Sequence, residues 1–465
     1  MPGNVVEARS LRIPRRLAGL LAATAALLAT IAASPTRAAG PATPPGVHPA
    51  LEAERRAARP SAAEERVAAP AVAAPGPPDA PASSDALERP SIATLPPLGD
   101  HWVWVPDRLL EHSLLFDGDD GRVLGMIDSP GLLTPQAPLV SRDRKEIYSV
   151  DVDYARGRRG KRSDFVTVYD LETMKVKGEI DFPTRAGSGN TAIAYSALVG
   201  PRFLAVFNQF PASSVSIIDL ERRRFVGEIG IAGCSGVYPV DELRFATLCG
   251  NGATAVVELA PNGRKRQLFE SAPFFDPVED PVFTSAGRIG ARWIFVSFAG
   301  RVHDVDFSRS IPIASPPWSL TADAGDAGDW RPGGLQLVAV HASSGRLFIV
   351  MHRGGPGSHK DGGPAIWSFD LAAQKRLAVI SPPAISATFL GGLLGVPRES
   401  VTATLMRWFV PGDEVHSIAV SQDARPVLFM RNAELGAVGV VDAENGAALR
   451  ILNEAGLAGP TLRVP

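Results

Sequence analysis

Residues 166–181 read VTVYDLETMKVKGEID: a short β-rich run, an acidic residue at Asp170, a polar turn, and a second short run. Val166, Val168 and Asp170 alternate with Thr167 and Tyr169, which is the period of a strand, where successive side chains point to opposite faces. The carboxylate suits the turn because it can accept backbone N–H bonds there. The same unit recurs as LLFDGDDGRVLGMID around Asp117, VSIIDLERRRFVGEIG around Asp219, AVVELAPNGRKRQLFE around Glu258, VHDVDFSRSIPIA around Asp306, IWSFDLAAQKRLAVI around Asp370 and VGVVDAENGAALRIL around Asp442.

Seven copies organise the chain. The acidic residues are spaced by 53, 49, 39, 48, 64 and 72 residues, and four of these bracket the about 40–50 residues of a four-stranded propeller blade. The two long intervals contain the Gly-rich loop HRGGPGSHKDGGP (His352–Pro364) and an apparent insertion, Ala384–Val410. The expected fold is therefore all-β, a seven-bladed β-propeller over residues 96–465, whose radial repetition leaves only short, protected sheet edges. A pair of β-sandwiches is the alternative, and it has no reason to carry one repeat through both halves.

Composition agrees. Gly 45 and Pro 41 among 465 residues are too many for a helical bundle, and 47 Lys+Arg against 49 Asp+Glu leave a net charge of −2. That balance argues against nucleic acid as a partner. Two cysteines exclude a four-cysteine metal or cluster site.

Before the repeats the chain changes character. Arg12, Arg15 and Arg16 precede an apolar run from Leu17 to Ala33, and small residues follow at Ala38 and Ala39. Residues 1–38 read as a cleaved export signal, with no membrane segment afterwards. A retained membrane anchor is the other reading, since the run is nearly long enough to span a bilayer. Residues 39–95 are rich in Ala and Pro and lack aromatic residues, so they are expected to be a disordered extension. The competing reading is an arm that docks on a partner subunit. Export implies an oxidising compartment, in which Cys234 and Cys249 read as a disulfide between adjacent strands rather than as two buried thiols. The loop-entropy model gives such a bridge about 3 kcal/mol.

Catalytic sets are missing. There is no G-x-S-x-G elbow, H-E-x-x-H or P-loop, and the eight histidines are scattered. His341, His352, His359 and His416 read as structural, and no catalytic, cofactor-binding or metal-ligating residue is assigned. Asp117, Asp119 and Asp120 in FDGDDG lack the EF-hand spacing for calcium and read as a hairpin turn.

From His101 to Pro460 the chain resembles the large (heavy) subunit of the quinoprotein amine dehydrogenases, the methylamine and aromatic amine dehydrogenases. The resemblance is carried by GRVLGMID (Gly121–Asp128), RSDFVTVYD (Arg162–Asp170), the cysteine pair, DWRPGGLQLVAVH (Asp329–His341), His359-Lys360, and HSIAVSQDARPVLF (His416–Phe429) running into VDAENGAALR. WRPGG and the SQD-x-x-P turn are the most specific. The resemblance implies a heterotetrameric (α2β2) periplasmic oxidoreductase whose small subunit, not this chain, carries tryptophan tryptophylquinone. It implies oxidation of a primary amine to aldehyde and ammonia, with electrons passed to a blue-copper protein such as amicyanin or azurin. On this reading Trp102, Trp104, Trp293, Trp318, Trp330, Trp367 and Trp408 are structural.

Two departures stand out. A phenylalanine lines the substrate channel of the methylamine enzymes after the GMID stretch. The matching place here is Leu132 in SPGLLTP, which makes Leu132 a substrate-channel candidate, although packing within its own blade is the other reading. The insertion Ala384–Val410 contains the apolar run ATFLGGLLGV and is expected to face a partner; a solvent loop with a small local core is the plainer reading. Two alternatives to the amine dehydrogenase remain at this stage: a non-catalytic periplasmic propeller serving as a binding scaffold, and an enzyme with its own site in the central channel.

Overall fold

The computed structural model describes residues 94–465 except 131–135, 158, 184–191, 323–328, 386–390, 392–393, 395, 397–399, 403–412, 434–435, 454, 457–458 and 460. The expected signal (1–38), nearly all of the extension (39–95) and Trp408 lie outside the described residues. Leu95 already belongs to the folded part: its N–H donates to the carbonyl of Glu172 at 2.7 Å.

Seven antiparallel sheets form seven blades. Blade 2 shows the plan. Leu139–Val140, Glu146–Tyr154, Arg162–Asp170 and Val176–Phe182 pair in chain order from the axis outward. Each of the seven acidic residues found in the sequence ends, or nearly ends, the third position of its blade: His112–Asp117, Arg162–Asp170, Ser214–Asp219, Thr254–Leu259, Arg301–Asp306, Ala365–Asp370 and Ala437–Asp442. Among the described residues no helix beyond the 3-10 turn Ile193–Tyr195 interrupts this pattern outside the inserted segment.

The turn chemistry is as the repeat implied, with one exception. Asp370 Oδ1 accepts from the backbone N–H groups of Ala372 and Ala373, both at 2.8 Å, and Asp442 Oδ1 does the same for Glu444 and Asn445 at 2.8 and 3.0 Å. Asp117, Asp170, Asp219 and Asp306 each cap a backbone N–H two or three residues on. Glu258 has one methylene too many for this and pairs instead with Arg266 at 3.0 Å. Four residues past Asp170, Asp219 and Asp370 the chain is left-handed, at Met174, Arg223 and Gln374 (φ 53°, 50° and 54°). That backbone suits glycine better than any other residue. The FDGDDG stretch makes the same turn: Asp117 caps Asp119, and Asp120 binds Arg122.

Burial follows position in the blade. The third strand of blade 3, Ser214–Asp219, is buried throughout, whereas the outermost strand of blade 4, Lys265–Glu270, is almost wholly exposed. Apolar side chains fill the seams between blades; one cluster joins Ile294 of blade 5, Phe348 and Trp367 of blade 6, and Ile418 and Leu428 of blade 7. Six tryptophans pack in these seams, with Trp102, Trp104 and Trp367 fully buried.

Blade 1 has only Trp102–Asp107, His112–Asp117 and Val123–Asp128 in sequence order. Its axial position is taken by the segment around Arg463, which bonds Trp104 in both directions. Arg431 of blade 7 secures the same seam. It is fully buried and donates to the carbonyls of Pro106 (2.8 Å), Ala455 (3.1 Å) and Thr461 (3.2 Å).

Candidate functional site

The strand directions sort the loops onto two faces. On one face lie the hairpins that begin at the seven acidic residues, together with the links from first to second strands. Its side chains are mostly charged, and Ile311 is the single large apolar side chain exposed in these loops among the described residues. The opposite face collects the links between blades and the loops between second and third strands. Here Leu109, Leu110, Phe210, Val278, Leu335, Leu394 and Val401 are exposed, Val278 by 81% and Val401 by 76%. Single exposed apolar residues are ordinary, but their gathering on one face marks a surface suited to a partner.

The described flanks of two sequence features lie on this face. Leu132 lies outside the described residues, but its segment links blade 1 to blade 2 here. The flanks are fixed: Ser129 donates its N–H to Glu111 O at 2.9 Å, Val152 donates to Pro130 O at 3.0 Å, and Gln136 and Ala137 are buried. The insertion Ala384–Val410 links blades 6 and 7 on the same face. Most of it lies outside the described residues; of the rest, Ile385 is buried and Leu394 and Val401 are exposed.

At the mouth of the axis on this face is a hollow of about 330 Å³, lined by Arg108, Tyr195, Phe283, Phe298, His359 and Lys360 among others. His359 stacks on Phe298 with ring centres 4.2 Å apart and planes 11° apart, and Phe283 packs on Phe298 at 4.6 Å. Nearby, His352 hydrogen-bonds Ser358 Oγ at 2.8 Å, and burial pushes its pKa below the usual histidine range. The Gly-rich loop thus presents His359 and Lys360 in an ordered way, which its composition did not suggest. His341 is structural, bridging Ser344 Oγ (2.7 Å) and the carbonyl of Asp423 (2.9 Å) across two blades. The hollow thus combines two cationic side chains, Arg108 and Lys360, with aromatic rings. Among the described residues, no cluster of three or more His, Cys, Asp or Glu side chains is placed to hold a metal ion, and no helix is long and apolar enough to cross a membrane.

Cys234 and Cys249 are register partners on neighbouring strands of blade 4 and are joined by a disulfide, at the end of the blade nearest this face. The turn that brings them together runs through Val240–Arg244, where Val240 N–H donates to Arg244 O at 2.9 Å.

Residues 108–382, from the first loop of blade 1 to the end of blade 6, match the sequence profile of the family described as methylamine dehydrogenase heavy chain (MADH). The chain belongs to this family. Two similar members are the methylamine dehydrogenase heavy chains of Paracoccus versutus and Methylobacillus flagellatus. The first is 27% identical over 378 residues, covering 79% of this chain and 80% of the relative; the second is 25% identical over 349 residues, covering 74% and 79%. The profile match stops at residue 382, just before the segment Ala384–Val410 that the sequence reading set apart. The stretches GRVLGMID, RSDFVTVYD and WRPGG all lie within the heavy-chain match.

Proposed function

We propose that this chain is the large subunit of a periplasmic amine dehydrogenase. On this reading it is exported by residues 1–38 and holds a small subunit carrying tryptophan tryptophylquinone, in an α2β2 assembly. The quinone supplies the oxidation of a primary amine to aldehyde and ammonia, and electrons leave through a blue-copper protein such as amicyanin or azurin. The large subunit's part is to seat the small one on its loop-rich face and, through the Leu132 segment, to shape the approach of the amine.

Membership of the heavy-chain family carries this reading. The one-sided distribution of exposed apolar side chains among the loops supports the choice of face, and the lack of a catalytic motif in the sequence fits an active group on another chain. The test is to purify the tagged full chain from its native host. A small, cysteine-rich chain with quinone absorbance is expected to accompany it, and amine turnover with an artificial electron acceptor is expected only when both are present. Recovery of the propeller alone, without amine turnover, would favour the binding-scaffold reading; turnover by the isolated chain would favour a site of its own.

A further inference from the structure

The propeller axis holds two cavities apart from the hollow at the loop-rich mouth, of about 210 and 290 Å³, and both are lined by Arg288, Trp293 and Arg463. The two guanidinium groups are the notable feature. Arg463, on the segment that completes blade 1, reaches across to blade 3. Its Nη2 donates to the carbonyls of Ile193 (3.2 Å) and Ser196 (3.4 Å), while Nε is buried without a partner. Arg288 of blade 5 donates from Nε to Gly290 O and from Nη2 to Val240 O, both at 2.7 Å, and lies over the Trp293 ring at 6.0 Å. Nη1 of each is left without a protein partner among the described residues.

These charges are uncompensated. No Asp or Glu side chain lines either cavity, and among the described residues neither arginine forms an ion pair. Asp241 acts on Arg288 through space, but its carboxylate is held by Arg244 at 2.7 Å, and Arg142 adds repulsion. Pro465 also borders the larger cavity. Burial lowers the pKa of both arginines, that of Arg463 to about 10, so both remain charged at neutral pH. A half-buried cation whose protein partners are carbonyls alone is incompletely compensated, and an anion is its natural complement. The smaller cavity also has an apolar wall that includes Leu139, Leu198, Val237 and the Tyr238 ring, which suits a ligand with a hydrocarbon or aromatic body better than a bare inorganic anion.

We propose that the axial cavity binds a small organic carboxylate, its charged end between Arg463 and Arg288 and its body against Tyr238 and Trp293. This site is independent of the amine-oxidising reading above, and its test reads binding, not turnover.

The experiment titrates benzoate, butyrate, phosphate and sulfate into the purified full chain at constant ionic strength. Binding is followed by melting temperature and by tryptophan fluorescence, to which Trp293 contributes. Saturable binding of benzoate or butyrate is expected. Arg463→Gln and Arg288→Gln should each weaken it at least about tenfold, and phosphate and sulfate should bind at least about tenfold more weakly than the better carboxylate. Arg463→Lys keeps a cation in the axis and should retain carboxylate binding, which guards against a glutamine variant that does not fold. Absence of saturable carboxylate binding, or unchanged binding in folded glutamine variants, would overturn the site. Phosphate or sulfate binding as tightly as the carboxylates would overturn its organic assignment.

Discussion

Trp104 and Arg463 exchange both of their backbone hydrogen bonds: Trp104 N–H to Arg463 O at 2.8 Å, and Arg463 N–H to Trp104 O at 3.1 Å. Nearly the whole propeller separates them in sequence, so this pair closes the ring. The closing segment carries its own apolar anchor, Leu462, which is fully buried in the seam between blades 1 and 7. Leu462→Ala is expected to cost about 2–4 kcal/mol, measured as a shift in urea midpoint with an unchanged m-value. A change below about 0.5 kcal/mol would mean that the segment does not hold the ring shut.

A buried carboxyl makes stability depend on pH. Asp151 accepts hydroxyl bonds from Ser149 (2.6 Å) and Thr167 (2.5 Å). Burial, with smaller contributions from the charges of Asp128 and Glu179, pushes its pKa up to about 7. Because the folded state favours the neutral acid, Asp151 opposes folding increasingly as pH rises from about 4, and the effect levels off above about 7. Asp151→Asn should remove this slope, which is at most about 1.4 kcal/mol per pH unit. Denaturation curves of both proteins from pH 4 to pH 8 should therefore diverge upward in favour of the variant. Parallel curves would refute the assignment.

The hairpins give an internal control. Asp370→Ala and Asp442→Ala each remove a carboxylate that accepts two backbone N–H bonds, and each should cost about 1 kcal/mol. Glu258→Ala removes only a partly exposed pair with Arg266 and should cost less than about 0.5 kcal/mol. Gln374→Gly should stabilise by up to about 1 kcal/mol by relieving a left-handed residue. Equal losses for all three alanine variants would mean that the capping bonds contribute nothing specific.

The repeat was legible because each blade uses a local device, a strand ending in an acid that caps its own turn. Glu258 shows that the pattern tolerates a residue that does not cap. What the sequence did not show is built from distant pieces. Arg463, Arg288 and the carbonyls of Ile193 and Ser196 come from separate blades, and no spacing rule links them. The missing axial strand of blade 1 leaves no mark on its hairpin, and the segment that takes its place is too short to read as a strand. The stacking of His359 on Phe298 was hidden for a different reason: a glycine-rich composition says little about which side chain a loop will present.

Leu132 is the residue through which substrate choice is expected to act. Its flanks are held at Ser129, Pro130 and Gln136, and on the proposed function Leu132 between them shapes the approach of the amine. Leu132→Phe should narrow the channel and raise the kcat/KM ratio of methylamine to phenylethylamine by about tenfold in the complete complex. Butylamine should fall between them. If the ratios among the three amines do not change, Leu132 does not line the route.

The charged, acid-capped face gives the molecule a back. Its hairpins are short, hold themselves by local bonds, and carry exposed lysines such as Lys145 and Lys175. With Lys161 and Lys360, which lie on the opposite face, replaced by arginine, chemical coupling to a solid support through the remaining amines would favour attachment by this back, with the loop-rich side turned to the solution. An electrode coated in this way would leave that surface open to whatever subunit, substrate or electron carrier approaches it.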